Sequence, residues 1–381
     1  MDRDRYDNPL RQQCLSIPAL CAEQADGVSR GFAASGLEEI LPHTTRVILT
    51  GCGDSYFAAN AAVPAFQKYA GAFGLSFEAR RCIDVARFLT YPERGAENIL
   101  VVGISASGSP ARVSEALRRA AHYGCRTLAL TNNGDSPAGQ AAQYRLVVHT
   151  PAFPNASPGL RNYYASLFGL YILAAKLGEC RGTVSPDGIR ELTQAIASTA
   201  QAYEAVLPTL EEQAFMVAQA WKNIHTVEAV GDAAAYPTAA FVAAKFVEVS
   251  GLMSSVSDSE DWCHINFFNR EPERIGTVVQ ARREAPHLSR IEETLRQASA
   301  VGRPLLLISN GADCAVPRGA QHIVLPAAPQ GFAFVESMYD FLPGALLAAY
   351  DSALRGEPYF RGGRWSEPGV NTIQTSRIEI V

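Results

Sequence analysis

The sequence predicts an α/β protein of two tandem domains, each a doubly wound, mostly parallel sheet flanked by helices. One observation is an internal repeat: residues 48–60 (ILTGCGDSYFAAN) resemble residues 228–240 (EAVGDAAAYPTAA), with matching positions 180 apart. Residues 100–134 resemble residues 276–312 at an offset of 178. A further observation is that short apolar segments alternate with helical ones, which is typical of a parallel sheet whose ligands bind beyond the carboxyl ends of the strands.

In the first half, apolar runs and turn residues define the elements. Residues 1–45 are predicted to be helical, because apolar residues over 17–32 recur at helical spacing. Strands are predicted over 46–50, 76–80, 99–104, 127–131 and 145–149. Helices are predicted over 55–71, 84–90, the stretch that ends near 123, and 162–178.

The second half repeats this order after a helical lead-in over 190–220. Strands are predicted at 226–230, 276–280 and 304–308, with helices over 238–251 and between the last two strands. We therefore expect a first domain over 1–182, a second over 183–355 and a carboxy-terminal tail over 356–381. The tail is expected to be an ordered segment that wraps over the active site, because Tyr359, Phe360 and Trp365 would be costly to leave in water.

The 381 residues are 48 % hydrophobic and 19 % charged, the balance of an ordinary soluble globular protein. A net charge of −5 argues against nucleic acid as a partner. The amino terminus is charged, unlike a signal peptide, and the longest apolar stretch, 163–177, is too short for a bilayer. We therefore expect a cytoplasmic protein with no membrane partner. The eight cysteines form no CxxC pair and no His/Cys cluster has zinc-like spacing, so neither a metal nor another cofactor is expected.

Two loops rich in serine and glycine are candidate anion sites. The segment 105–109 (SASGS) follows a buried strand and precedes a helix, whose amino terminus adds N–H groups and a positive dipole end. The segment 51–55 (GCGDS) has the same place after the first strand, so Ser55 can face the same ligand. The alternative is that Ser107 or Ser109 only caps the helix. The corresponding loops of the second half, 231–235 (GDAAA) and 280–284 (QARRE), have no serine, which predicts one phosphate for each pair of domains.

A lysine and a glutamate interrupt an otherwise apolar helix in the second half. Lys245 and Glu248 are three residues apart and share a face. Partial desolvation of the carboxylate raises its pKa toward the range of a general base. The alternative is a plain salt bridge on a solvated edge. His264 follows in an acidic and aromatic segment, where a histidine is either a catalyst or a satisfied core residue.

These residues together resemble the double sugar-isomerase (SIS) domain proteins, over nearly the whole chain. The relatives are the isomerase part of glucosamine-6-phosphate synthase and the deglycases of phosphorylated fructosyl-amino acids. Segment 51–55 resembles the family loop Gly-Cys-Gly-Thr-Ser, and 105–108 resembles the phosphate loop Ser-Gln-Ser-Gly. Residues 245–250 (KFVEVS) resemble the helix Lys-x-x-Glu-Ile-Ser that carries the enolisation base. His264 lies sixteen residues after Glu248, the family distance to the ring-opening histidine.

The resemblance implies a site and a reaction. Glu248 is expected to move a proton between C1 and C2 through an enediol or enaminol, while His264 helps to open the sugar ring. In the family this histidine enters the active site of the neighbouring subunit, which implies a homodimer. Arg161 precedes a helix and is either a second anion contact or a surface arginine. The residues expected to bind phosphate or substrate are Gly53, Ser55, Ser105, Ala106, Ser107, Ser109, Arg161 and Lys245.

Several positions depart from the family pattern. The phosphate loop usually continues Gly-Glu-Thr, whereas Gly108 is followed by Ser109 and Pro110. The family histidine usually precedes Gly-Pro, whereas His264 precedes Ile265. The tail segment 374–378 (QTSRI) has no counterpart of the lysine that forms an imine in the synthase. No glutaminase domain is recognised, so glutamine-dependent synthesis is not expected.

Three functions remain open at this point. One is aldose–ketose or amino-sugar isomerisation of a sugar phosphate, and another is deglycation, in which the enaminol releases an amine. The absence of the tail lysine favours chemistry that needs no new imine. A third is sugar-phosphate sensing without catalysis, although the short leader leaves no room for a DNA-binding helix-turn-helix domain.

Overall fold

The structure is a computed structural model that describes residues 3–71, 74–155, 158–283, 285–311, 313–358, 360–362 and 377–381. Its strands are β1 (Arg46–Gly51), β2 (Ser76–Arg81), β3 (Ile99–Ile104), β4 (Arg126–Thr131), β5 (Tyr144–Val147), β6 (Thr226–Gly231), β7 (Met253–Ser257), β8 (Ile275–Ala281), β9 (Leu305–Ser309) and β10 (Gln321–Val324). Its α-helices are α1 (Pro9–Ser16), α2 (Cys21–Ala33), α3 (Asp54–Ala70), α4 (Cys82–Arg87), α5 (Ala111–His122), α6 (Pro137–Ala141), α7 (Leu160–Cys180), α8 (Pro186–Ala220), α9 (Tyr236–Ser250), α10 (Ser259–His264), α11 (Leu288–Ala300) and α12 (Leu342–Leu354).

Contacts divide the chain into two compact units. The amino-terminal unit contains 20–153 and 161–197, together with 377–381 among the described tail residues. The carboxy-terminal unit contains the described residues within 1–19, 154–160 and 198–371. The units divide inside α8, whereas the domain boundary expected from the sequence, at 182/183, precedes that helix. The ranges 1–182, 183–355 and 356–381 therefore stay a proposal about the tandem organisation.

Each unit is built on a five-stranded parallel sheet, and the two sheets have the same topology. The strand order is β2-β1-β3-β4-β5 in the amino-terminal unit and β10-β9-β8-β6-β7 in the carboxy-terminal unit, so each sheet is wound outward from a central crossover. The central strands β3 and β8 are buried along their whole length, as expected for strands covered by helices on both faces. The predicted fold of two parallel-sheet α/β domains is confirmed.

Two glycines show why the repeat survives in the sequence. A side chain at Gly51 would place its Cβ 2.6 Å from the Cβ of Ser55, and at Gly231 it would lie 2.7 Å from the carbonyl oxygen of Ala235. Real Cβ atoms essentially never lie this close to other atoms. The space is missing because the first turn after the strand crosses directly over each glycine. The glycine at the end of the first strand of each unit is therefore required by packing and not by ligand chemistry.

Among the strands and α-helices, the sequence did not predict two edge strands and three helices, of which α6 has only five residues. Strands β7 (MSSVS) and β10 (QHIV) lie at sheet edges and are short and partly exposed, so they have no continuous apolar run. Helix α12 is buried on nearly all sides, and such a helix has no amphipathic period to detect. Helix α10 has six residues, fewer than two turns.

The last five residues lie against the amino-terminal unit. The Nε of Arg119 donates to the carbonyl oxygen of Val381 at 2.6 Å, and the Glu379 N–H donates to Glu115 Oε1 at 2.9 Å. Arg87 forms an ion pair with Glu379 at 2.9 Å. Of the aromatic residues on which the prediction of a wrap-around tail depends, Tyr359 and Trp365 are outside the described residues, and Phe360 is half-buried.

Candidate functional site

The loop after β3 presents serines with different surroundings. Ser105 is buried, and its hydroxyl oxygen accepts the Gly108 N–H at 3.0 Å, which leaves the hydroxyl hydrogen able to be donated. Ser107 and Ser109 are exposed, and the Ser109 N–H donates to Ser107 Oγ at 3.3 Å. Helix α5 begins at Ala111 without a side-chain cap, so the serine-cap alternative does not hold for this helix. The exposed hydroxyls are thus available to a ligand at the helix start.

Gly108 determines the shape of this loop. Its φ is +66°, in the left-handed region that favours glycine. A Cβ at this position would lie 1.9 Å from Ser136 Oγ and 2.3 Å from Ser136 Cβ. Ser136 itself caps helix α6 by accepting the Gly139 N–H at 3.2 Å. The loop is therefore held against α6, with no room for any other residue at 108.

The loop after β1 lies beside the loop after β3. The two strands are neighbours, and their register pairs Gly51 with Ile104, the last residue of each strand. Ser55 is half-buried in the first turn of α3. Gly53 has φ +55°, and nothing lies within 4 Å of the position of a Cβ there, so the space beside it is open. The structure thus brings together the two predicted anion loops at the carboxyl edge of one sheet.

Arg161 occupies the start of α7 in the same unit. Its guanidinium lies 4.7 Å from the Phe153 ring centroid, and burial lowers its pKa from the ordinary arginine value. The next residue, Asn162, connects this helix to the serine-rich loop 105–109 after β3 (the serine loop). Its Oδ1 accepts from Asn132 Nδ2 at 2.8 Å, and the Asn132 N–H donates to the Ala106 carbonyl oxygen at 3.0 Å. Arg161 as an anion contact stays a prediction.

Arg112 is a cation beside these loops that the sequence reasoning missed. It lies in the first turn of α5 and pairs with the buried Glu115. The pKa of Cys52 in the neighbouring loop is lowered chiefly by Cys82 and to a smaller extent by the charge of Arg112. An arginine shortly after the end of a phosphate-type loop is the signal that could have identified it.

In the carboxy-terminal unit, Lys245 and Glu248 form an ion pair with unequal burial. The Lys245 side chain is completely buried, with its Nζ 2.6 Å from Glu248 Oε2 and 4.6 Å from the Phe241 ring centroid. The Glu248 side chain is 33 % exposed. The alternative was an ion pair on a solvated edge. The glutamate is in contact with solvent as this alternative requires, but the lysine is not. The contact with the buried ammonium fixes the position of the partly exposed carboxylate.

His264 ends α10 on the surface of the carboxy-terminal unit. Its side chain is 68 % exposed, and its Nε2 lies 2.9 Å from Glu260 Oε1. The histidine is therefore not a satisfied core residue. Ile265 and Phe268, close after it, are also exposed, at 64 % and 74 %. The catalytic role of His264 stays a prediction.

The corresponding loop of the second repeat is filled by its own charges. After β8, the Arg282 guanidinium donates to Ser337 Oγ at 2.7 Å and lies 3.1 Å from Asp340 Oδ2 and 3.9 Å from Glu336 Oε2. Tyr203 donates to the other oxygen of Asp340 at 2.8 Å. These side chains surround the guanidinium, which could otherwise bind an anion. One phosphate site for each pair of repeats stays a prediction.

The comparisons with known proteins agree with these features. Residues 40–176 match the family model described as the SIS domain. The chain is 25 % identical over 335 residues to the glutamine–fructose-6-phosphate aminotransferase (isomerizing) of Streptomyces coelicolor, covering 85 % of this chain and 53 % of the relative. The corresponding protein of Corynebacterium diphtheriae is 24 % identical over 297 residues, covering 77 % and 46 %. The chain thus spans about half the length of these relatives.

Solved structures show the same fold at low sequence identity. The C-terminal domain of glucosamine-fructose-6-phosphate aminotransferase from Francisella tularensis superposes with a TM-score of 0.81 at 16 % identity, covering 95 % of this chain and 100 % of that domain. The tagatose-6-phosphate ketose/aldose isomerase of Escherichia coli superposes with a TM-score of 0.68 at 16 % identity, covering 93 % and 95 %. Within the described ranges, no helix is both long and apolar enough to cross a membrane. The resemblance inferred from the motifs is confirmed: the chain contains an SIS domain over residues 40–176, and both of its five-stranded units have the SIS fold.

Proposed function

We propose that this protein is an enzyme that isomerises or deglycates a sugar phosphate, most readily an amino-sugar or ketosamine phosphate, by glutamate-mediated proton transfer. The observation that carries the proposal is the pair of neighbouring loops at the carboxyl edge of the SIS-domain sheet, where exposed hydroxyls meet the start of α5. Such an edge is where α/β sheets bind ligands, and hydroxyls with helix N–H groups suit an anion. The names of the similar proteins, several of which act on phosphorylated sugars, add support.

Phosphate binding is assigned to the amino-terminal unit. Ser107 and Ser109 are the exposed hydroxyls, and Ser55, Ser105, Gly53 and Ala106 complete the two loops. Titration calorimetry with inorganic phosphate and with fructose 6-phosphate tests the assignment. Replacing Ser107 and Ser109 together by alanine is expected to weaken binding by about tenfold or more, since a hydrogen bond to a charged group contributes about 1.5–3 kcal/mol. Ser29→Ala, an exposed serine on α2, is the matched control and is expected to bind normally.

Proton transfer is assigned to Glu248, with the Lys245 ammonium holding the carboxylate in place. A base of this kind removes the proton next to a carbonyl or imine and returns it to the neighbouring carbon, and phosphate contacts remote from that carbon help to hold the substrate in position. Proton exchange from heavy water into fructose 6-phosphate, followed by NMR, measures this step. Glu248→Gln is expected to slow exchange by about 10²–10⁴-fold and to retain phosphate binding. Glu212→Gln, on an exposed position of α8, is the matched control.

The outcome of this experiment also separates enzyme from sensor. If the unmodified protein binds sugar phosphate but promotes no solvent-proton exchange into fructose 6-phosphate or a fructosyl-amino acid phosphate, the enzyme proposal fails and sugar-phosphate sensing takes its place. Isomerase and deglycase are distinguished by product: fructose 6-phosphate yields an aldose phosphate with the former, and a fructosyl-amino acid phosphate yields a released amino acid with the latter.

We also propose a homodimer in which His264 serves the partner's active site. Its support is the exposed side chain of His264 beside two exposed apolar residues, Ile265 and Phe268, which are costly to leave in water. Analytical ultracentrifugation of the unmodified protein and of Phe268→Glu measures this. The proposal is refuted if the unmodified protein is a monomer at micromolar concentration. It is supported if the unmodified protein is a dimer and the Phe268→Glu variant is a monomer.

A further inference from the structure

Two cysteines lie opposite each other at the edge of the sheet that carries the candidate site. The register of β1 and β2 pairs Gly51 with Arg81, the last residue of each strand, and the residue that follows each of them is a cysteine, Cys52 and Cys82. The paired residues Gly51 and Arg81 that precede them are held at the strand spacing of about 4.8 Å, and the Cα atoms of a disulfide are roughly 4.4–6.8 Å apart. The two thiols also interact, since each is the largest cause of the shift in the pKa of the other.

The two thiols differ in access and in acidity. Cys52 is exposed, whereas Cys82 is 4 % exposed at the start of α4. The hydrogen bond from Cys82, aided by the charge of Arg112, lowers the pKa of Cys52 to about 7. The pKa of Cys82 is raised, first by its hydrogen bond with Cys52 and then by burial. Burial raises the pKa of four other thiols, those of Cys14, Cys125, Cys180 and Cys314. An exposed thiolate beside a buried thiol is the arrangement of an attacking and a resolving cysteine.

The second repeat shows a different bridge at the same junction. Asp232 follows Gly231 at the end of β6, as Cys52 follows Gly51, and Ser259 begins α10, as Cys82 begins α4. There the Asp232 carboxylate accepts the Ser259 N–H at 2.8 Å. The contact from the strand end to the next helix is thus polar and non-covalent in one unit, and made by two sulfurs in the other.

We propose that Cys52 and Cys82 are a redox-active pair that closes to a disulfide by exchange with a low-molecular-weight disulfide, fastening loop 51–55 to the start of α4. The Cys52 thiolate attacks one sulfur of the small disulfide, which forms a mixed disulfide and releases one small thiolate. The Cys82 thiol then loses its proton and attacks the Cys52 sulfur, which forms the protein disulfide and releases the second small thiolate. The protein loses two hydrogens, and one small disulfide becomes two small thiols.

The test uses the full chain with oxidised glutathione as the probe. After incubation, the remaining thiols are alkylated in denaturant, and intact mass and peptide mapping count them. The number of alkylatable cysteines is expected to fall from eight to six, with one cross-linked peptide joining Cys52 to Cys82, and dithiothreitol is expected to restore all eight. Cys180→Ser, a partly exposed cysteine of the same unit outside the pair, is the matched control and is expected to form the same cross-link.

Two variants separate the steps. In Cys82→Ser the reaction is expected to stop at a single glutathione adduct on Cys52, and in Cys52→Ser the buried Cys82 is expected to stay unmodified. The proposal is overturned if the unmodified protein keeps eight alkylatable thiols, if Cys52 remains a mixed disulfide, or if either cysteine is joined to another residue. Mapping of the unmodified protein decides the matter even if a variant misfolds. The readout is covalent and independent of phosphate binding, so it stands or falls separately from the proposed function.

Discussion

Replacement of Gly108 by alanine tests whether the serine loop is held in shape by contact with α6. The new Cβ would lie 1.9 Å from Ser136 Oγ, and the residue would have to keep φ +66°. A left-handed conformation costs a residue with a Cβ about 1–2 kcal/mol. Overpacking of a tight contact costs about 1–3 kcal/mol more. We therefore expect the free energy of unfolding of the amino-terminal unit to fall by about 2–5 kcal/mol.

Two variants separate the backbone cost from the steric cost. Gly182 has φ +71°, and nothing lies within 4 Å of the position that a Cβ would take there, so Gly182→Ala is expected to cost only about 1–2 kcal/mol. Ser136→Gly removes both atoms that clash with the new Cβ, and glycine is tolerated as a cap at a cost of a few tenths of a kcal/mol. The double variant Gly108→Ala with Ser136→Gly is therefore expected to recover about 1–3 kcal/mol.

Urea unfolding followed by far-ultraviolet circular dichroism measures these variants against the unmodified protein. The reasoning is wrong if Gly108→Ala is no more destabilising than Gly182→Ala. It is also wrong if Ser136→Gly gives no recovery in the Gly108→Ala background, because the contact with α6 would then not be what excludes a side chain.

Three further predictions concern contacts inside a single unit. Burial raises the pKa of Asp340 to about 7, although Arg282 opposes the shift. The folded protein thus keeps a proton that the unfolded chain releases near pH 4, and stability falls as the pH rises toward 7. Asp340→Asn should remove this dependence of stability on pH. The difference in unfolding free energy between the variant and the wild type, measured by urea titration, is then expected to change by about 2–3 kcal/mol between pH 5 and pH 8. A difference that is the same at both pH values contradicts the reasoning. Arg303→Met leaves the buried Glu228 without its cation, which lies 3.4 Å away, and should lower the free energy of unfolding by about 3–5 kcal/mol. Adding Glu228→Gln should recover this loss of stability. Equal losses of stability in the single and double variants would disprove the pairing. Gly31→Ala puts a Cβ 1.9 Å from the Val147 carbonyl oxygen and should lower the melting temperature by several degrees in calorimetry, whereas Gly71→Ala, which meets nothing within 4 Å, should not.

The central parts of the fold are accessible from the sequence, and the edges are not. Strand β3 is predicted over its observed residues, because a strand buried on both faces must be a continuous apolar run. Edge strand β7 is stabilised by pairing with β6 along one side only and needs no such run. Helix α12 is missed for the opposite reason, since complete burial removes the contrast between faces on which helix prediction depends.

The parts of the candidate site that depend on loop chemistry can be predicted from the sequence, whereas those that depend on strand register cannot. The serines of 105–109 identify themselves by type and by their place after a buried strand. The closeness of Cys52 and Cys82 depends instead on which residues of β1 and β2 face each other, and residue spacing along the chain does not contain that information. The unequal burial of Lys245 and Glu248 likewise results from how α9 packs.

The steric requirement at Gly51 and Gly231 has a consequence for how duplicated proteins change. Selection on folding acts equally on both copies at these positions, whereas selection on chemistry can relax in one copy as soon as the other suffices. The scaffold of a tandem pair therefore remains alignable long after its chemistry has diverged. The residues in which the two halves differ, and not those that they share, are then the better guide to what the molecule does.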